Sequence, residues 1–174
     1  SLSEPFGNSR WVFSDDESYL LQNHYSGSAP FYVTVRDAGG LELARLDVPA
    51  RVEVIGLHGS LAVLGCADGS LWAYDLAHPQ APQWKHTGLH TGGISTLAFD
   101  RSGERLLSTD VLGQVAVWSA RDGSTVWQRP SADHGLIYAG ALSDDGQRIA
   151  VGFGTTVIIY DLATKNRVIH DWHK

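Results

Sequence analysis

The stretch that decides the fold is Ile94-Ser-Thr-Leu-Ala-Phe-Asp-Arg-Ser-Gly-Glu-Arg-Leu-Leu-Ser-Thr-Asp-Val-Leu-Gly-Gln-Val-Ala-Val-Trp118. It holds three short runs, Ile94–Phe99, Arg105–Thr109 and Gln114–Trp118, and a fourth follows at Thr125–Arg129. Asp-Arg-Ser-Gly, Asp-Val-Leu-Gly and Ala-Arg-Asp-Gly separate them, and these residues favour tight turns. The runs are rich in Val, Ile, Leu and Trp, and no stretch keeps a 3.6-residue period over three turns. The reading is four short strands in a meander, not helices.

Working outward, the same order recurs. Phe13-Ser-Asp-Asp-Glu-Ser-Tyr-Leu-Leu21, Phe99-Asp-Arg-Ser-Gly-Glu-Arg-Leu-Leu107 and Leu142-Ser-Asp-Asp-Gly-Gln-Arg-Ile-Ala150 each end one strand, turn, and begin the next. Ile55-Gly-Leu-His-Gly-Ser-Leu-Ala62 is a fourth copy with a shorter turn. The anchors 13, 55, 99 and 142 lie 42, 44 and 43 residues apart. A second marker follows each: Tyr32-Val-Thr-Val-Arg-Asp37, Leu71-Trp-Ala-Tyr-Asp75, Val115-Ala-Val-Trp-Ser119 and Val157-Ile-Ile-Tyr-Asp161. Two markers with one period define a repeat, and four strands per unit repeated radially form a propeller blade. The expected fold is all-β: a β-propeller segment of four four-stranded antiparallel blades, about 8–48, 49–89, 90–133 and 134–174. It would be half of an eight-bladed ring or part of a larger propeller.

The third unit, from His90-Thr-Gly-Gly to Gly113-Gln-Val-Ala-Val-Trp118, resembles a WD40 repeat, and the resemblance extends over nearly the whole chain as four units. The endings Ala120-Arg-Asp-Gly-Ser-Thr-Val-Trp127 and Asp75…Gln83-Trp84 are also similar to quinoprotein-type propeller repeats. The WD40 resemblance implies a structural role for His90 and Trp118. It also implies an Asp six residues before the closing aromatic, bonded to that His. Those positions are Ala29, Asp68, Leu112 and Gly154, so Asp68 alone fits and the unit of His90 is expected to lack the network.

Composition narrows the function. Lys and Arg number 13 against 19 Asp and Glu, a net charge of −6, which disfavours nucleic acid and polybasic membrane contact. No apolar run is long enough for a transmembrane helix. Ser1–Phe13 lacks the basic-then-apolar layout of a signal peptide, so the expected compartment is cytoplasmic. The chain contains no methionine, which points to a processed product or a piece of something longer. Cys66 is the only cysteine and reads as a buried, inert thiol.

The chemical candidates each have a bland competitor. His86-Thr-Gly-Leu-His90 has i, i+4 spacing, but Gly88 and Gly92 disfavour the helix a metal pair would need. His170-Asp-Trp-His173 has no further ligands near it in sequence. Asp15-Asp16 and Asp144-Asp145 recur at a turn, which makes them turn residues ahead of acid–base partners. Gly152-Phe-Gly-Thr-Thr precedes a strand, so it cannot cradle phosphate at a helix N-terminus. The expectation is therefore no metal, no cofactor and no catalysis.

By the resemblance, the loops joining strands two and three, and those joining blades, share one face. They are Asn23–Pro30, Cys66–Ser70, Thr109–Gly113 and Gly152–Thr156, with Val48–Arg51, His86–Gly93 and Pro130–Gly135. His24, Tyr25, His86, Asp110, His134 and Phe153 are the candidate binding-rim residues there. A mixed aromatic and polar rim suits a protein or peptide partner. Four blades expose two end faces, which Trp11 and Trp172 are placed to anchor against a partner. A homodimer or a missing propeller half would cover them; closure of four blades on themselves is the third route. The expected function is a protein-interaction or scaffold module. The rival is a ligand-binding or regulatory propeller part of a quinoprotein-like enzyme or sensor, which needs His, Asp and Arg converging on a central channel.

Overall fold

The structure is a computed structural model that describes residues 10–24, 28–129, 136–137 and 139–171. Among the described residues, sixteen strands form four antiparallel sheets, each a meander in chain order. The first is β1 (Arg10–Phe13), β2 (Tyr19–Asn23), β3 (Phe31–Asp37) and β4 (Glu42–Val48). The second is β5 (Val52–His58), β6 (Leu61–Cys66), β7 (Leu71–Asp75) and β8 (Trp84–His86). The third is β9 (Ile94–Phe99), β10 (Arg105–Asp110), β11 (Val115–Ser119) and β12 (Thr125–Arg129). The fourth is β13 (Ala139–Leu142), β14 (Arg148–Phe153), β15 (Thr156–Asp161) and β16 (Arg167–Asp171). The fold is thus all-β, with four propeller blades in the order the repeat dictates.

Each blade buries alternate residues against its neighbours, so the core is three seams. Leu21, Val33, Val35, Leu46 and Val48 of the first blade meet Val52, Ala62, Leu64, Cys66 and Tyr74 of the second. Val63, Leu71, Ala73 and Trp84 of the second meet Ile94, Leu106, Ala116 and Trp118 of the third. Leu107, Val115 and Val117 of the third meet Ile149, Val151, Phe153, Ile158 and Tyr160 of the fourth. The middle strands of the second and third blades are covered on both faces. That is why Leu-Ala-Val-Leu-Gly-Cys in β6 reads as a continuous apolar run and not an alternation. Among the described residues, no closely packed strand pair joins the first blade to the fourth.

The turns explain the recurring acids. Asp16 accepts from Ser14 Oγ, from Ser18 Oγ and from the Ser18 N–H. Asp145 accepts from Ser143 Oγ and the Gln147 N–H. In the third blade Asp100 does the same for Ser102 Oγ and the Arg105 N–H. These bonds favour the ionised form: Asp16 is held at about 2, chiefly by the Ser14 hydroxyl, and Asp145 below its usual value, chiefly by Ser143.

Candidate functional site

The second-to-third seam concentrates polar chemistry. The loop between β8 and β9 delivers His90, β10 delivers Ser108 and Asp110, and β11 delivers Trp118. Trp118 Nε1–H donates to Ser108 Oγ at 2.7 Å, and His90 Nε2 lies 2.7 Å from the same oxygen. The Asp110 carboxylate beside Nδ1 favours the imidazole proton on that nitrogen, so the Ser108 hydroxyl, which accepts from the indole, turns its own proton to Nε2. Nδ1 lies 3.4 Å from Asp110 Oδ2, a contact short of a full hydrogen bond. Burial holds the imidazole below its ordinary pKa, while the Asp110 charge pulls the other way. A neutral His90 fits this donor order.

Asp110 is the anchor. Its Oδ2 accepts from the Thr91 and Gly92 N–H groups, both at 3.2 Å. Its Oδ1 accepts from Leu112 N–H at 3.0 Å and Gln114 N–H at 2.8 Å. One carboxylate therefore ties the blade-connecting loop to the turn after β10. The expected absence of the network in this unit is overturned. The turn holds Val111, Leu112, Gly113 and Gln114, so the acid sits two residues before the position a fixed spacing from Trp118 selects. Counting forward from the buried strand, through Ser108-Thr109-Asp110, would have found it.

Ser108, His90 and Asp110 have the outline of a hydrolase triad, but access decides against it. Their exposures are 0%, 2% and 0%, and Ser108 Oγ already receives the Trp118 proton. A nucleophile needs room for substrate beside it. The three groups brace loops.

The other sequence candidates separate. His24 is half-buried, stacked on Tyr32 at 4.6 Å with Nε2 2.8 Å from Thr34 Oγ1. His86 is not a rim residue: it stacks on Trp118 at 4.5 Å, and its Nε2 lies 2.6 Å from the Gly123 carbonyl. Asp110, expected on the rim, is sealed beneath it, because four N–H groups consume its oxygens. Phe153, also expected there, is 7% exposed, since its ring fills the third-to-fourth seam. Asp68 does not reach a histidine; it accepts from Ser70 N–H and Oγ, and Ser70 Oγ accepts from Trp72 Nε1. Trp11 is 50% exposed on the outer face of the first blade. Tyr25, His134 and Trp172 lie outside the described residues. No cluster of three potential metal ligands occurs among the described residues. Cys66 is buried, and burial pushes its thiol up to about 12.

Above this brace, between the second and third blades, lies a shallow cleft of about 420 Å³. Arg51, Glu53, Ala67, Gly93, Ile94, Ser95 and Val111 line it. Arg51 Nε donates to Glu53 Oε1 at 3.0 Å, and Val111 N–H donates to the Gly93 carbonyl at 3.0 Å. The cleft joins a charged wall to an apolar one on a floor held from below by Asp110. Arg51, Ala67, Gly93 and Val111 belong to the loops that the sequence reading put on one face; Glu53, Ile94 and Ser95 it missed, because only the approach of β5 to β9 brings them there.

No family model matches the chain. A curated relative, Telomerase protein component 1 of Rattus norvegicus, is 27% identical over 165 residues, covering 88% of this chain and 6% of its own length. A chain from the crystal structure of the mitotic checkpoint complex superposes with a TM-score of 0.80 at 20% identity, over 98% of this chain and 55% of its own. The computationally designed Ika8 protein superposes at 0.78 and 23% identity, over 94% of this chain and 48% of its own. The chain thus spans a small part of the curated relative and about half of these solved chains. Four meandering blades, with third strands closing on Tyr74, Trp118 and Tyr160, make this protein a β-propeller segment, and the buried Trp118–Ser108–His90–Asp110 chain adds to its resemblance to WD40 repeats.

Proposed function

We propose that the chain is a non-catalytic protein-interaction module that works as part of a larger ring. The observation behind this is the division of labour at the second-to-third seam. Every group there with catalytic outline is sealed and spent on bracing, while the braced loops hold an open cleft with Arg51 and Glu53 at its edge. A fixed, mixed polar and apolar cleft suits an extended peptide segment. The ring would be completed by a second copy or by further blades, which would cover the end faces. A cytoplasmic location belongs to the same reading. The innermost strands run Arg-Trp-Val-Phe, Val-Glu-Val-Ile-Gly-Leu-His, Ile-Ser-Thr-Leu-Ala-Phe and Ala-Gly-Ala-Leu, and the described residues bring no three His, Cys, Asp or Glu together, so they lend the quinoprotein-like reading no support.

The test is panning of a displayed peptide library against the chain, followed by titration of the selected peptides into Arg51→Glu. The expected result is selected peptides whose affinity falls at least tenfold in the variant with unchanged thermal unfolding. Selection of no peptide, or peptides indifferent to Arg51→Glu, would refute the cleft as the recognition surface.

A further inference from the structure

We infer that the open face of the fourth blade receives a propeller blade of a different sequence, one with an aromatic residue closing its third strand, and not the first blade of a second copy. This rests on the ring-completion reading above and names the partner that completes it.

The internal seams supply the rule. Residues closing the third strands are Tyr74, Trp118 and Tyr160, and each lies beneath the fourth strand of the preceding blade. Tyr74 OH donates to the Asp47 carbonyl of β4 at 3.0 Å. Trp118 carries the His86 ring of β8 and shares a cluster with Trp84. Tyr160 lies 5.4 Å from the Trp127 ring of β12, with the Arg129 guanidinium 5.3 Å over its own ring.

Strand register carries the rule to the open end. Ala73 pairs with Trp84 and Leu71 with His86; Val117 pairs with Trp127 and Val115 with Arg129. In the fourth blade, Ile159 pairs with Val168 and Val157 with His170. Val168 and His170 therefore occupy the positions that cover the next blade's aromatic. The centre of this face is apolar, since Ala141 opposes Ala150 and Ala150 opposes Ile159, with the Arg148–Asp161 pair at one end. None of these residues joins the seam with the third blade, and Val168 is 55% exposed.

The first blade does not answer that face. Its third strand runs Val-Thr-Val-Arg-Asp, so Arg36 stands where the other blades place the aromatic. The Arg36 guanidinium donates to the Gly40 carbonyl and pairs with Glu42 at 3.3 Å. Beside it Arg45 pairs with Asp47 at 2.8 Å and stacks 3.8 Å over Tyr32. Pressing Ile159, Val168 and His170 onto these groups would strip water from two guanidinium ions and offer a single imidazole nitrogen as acceptor in return. Trp11 and Phe13, 50% and 60% exposed on the inner edge of the same face, show that the first blade also awaits a neighbour. Its polar outer half asks for a different one.

The test is the absolute mass of the full chain by light scattering across a dilution series, with binding of a hydrophobic dye. The wild type is expected to hold 18.9 kDa and to bind the dye, and Val168→Lys to lower dye binding severalfold. The double variant Arg36→Tyr with Gln22→Val, which gives the first blade an aromatic acceptor, is expected to approach twice that mass. A wild-type dimer, or a correctly folded double variant that stays monomeric, overturns the inference. Dye binding untouched by both Val168→Lys and Ile159→Glu would sink the ring-completion reading itself, and the inference with it.

Discussion

Replacing Asp110 with Ala tests whether one carboxylate braces the second-to-third seam. The side chain accepts four backbone N–H groups, yet their losses are unequal. Leu112 and Gln114 lie in a turn beside exposed residues, so water can replace the carboxylate there. Thr91 N–H also has Gln114 Oε1 at 2.7 Å. Gly92 N–H is buried and bonds to Asp110. Losing a charge-assisted bond to a buried donor costs about 1.5–3 kcal/mol, and three rehydrated donors add a few tenths each. His90 Nδ1 then faces no counter-charge. The total is about 3 kcal/mol, and with a urea slope of about 2 kcal/mol/M the midpoint falls by roughly 1.5 M. Asp110→Asn, which keeps one acceptor oxygen, should lose about half as much. Urea unfolding followed by tryptophan fluorescence reads both, since Trp118 sits in the network. A midpoint shift under about 0.5 M for Asp110→Ala would refute the bracing argument, because it would mean that water already serves those donors.

Three further outcomes follow from the same geometry. Gly69 has a φ of +81°, and a Cβ there would meet the His90 carbonyl oxygen at 2.3 Å, so Gly69→Ala should lose roughly 2–4 kcal/mol in thermal or urea unfolding. The buried His90 imidazole has a lowered pKa, so between its unfolded value of 6.5 and the lower folded one the unfolded chain binds the extra proton; stability should fall as pH drops through that window, and His90→Gln should flatten the slope. Cys66, held at about 12 by burial, should resist a thiol-reactive disulfide at pH 8 in the native state and react fully in denaturant.

The fold was legible because a propeller blade repeats its instructions. In the third unit, sequence reading and structure place the first strand at Ile94–Phe99 and the fourth at Thr125–Arg129 alike, and differ by a residue at the ends of the middle two. Turn acids such as Asp16 and Asp145 were readable for the same reason, since their bonds reach only two residues along the chain. The site was less legible. A binding rim was inferred from loop position, yet Asp110 and Phe153 turn inward and His86 lies over Trp118. Loop position fixes where a backbone goes, and a side chain's direction depends on what the surrounding groups offer it. Asp110 finds four donors in its own turn and the blade-connecting loop, and Phe153 finds an apolar cluster shared with the third blade. Glu53 and Ser95 reach the cleft from β5 and β9, about forty residues apart in the chain, and no local pattern signals that approach.

The bracing chain also shows why constellation alone does not assign chemistry. Ser108, His90 and Asp110 stand in the order and nearly at the distances of an acyl-transfer triad. In such a site the serine oxygen is free to attack, and the imidazole alternates between neutral and charged. Here the Trp118 N–H occupies one lone pair of that oxygen, and burial opposes charging the imidazole. The carboxylate is committed to backbone donors from two loops. What would orient a base in an enzyme holds a turn to the blade-connecting loop in this one. The same groups, moved to the surface and freed of Trp118, would support the opposite conclusion. The functional surface is therefore to be sought where these groups hold the backbone still, at the cleft above them, and at the blade faces that no seam yet covers.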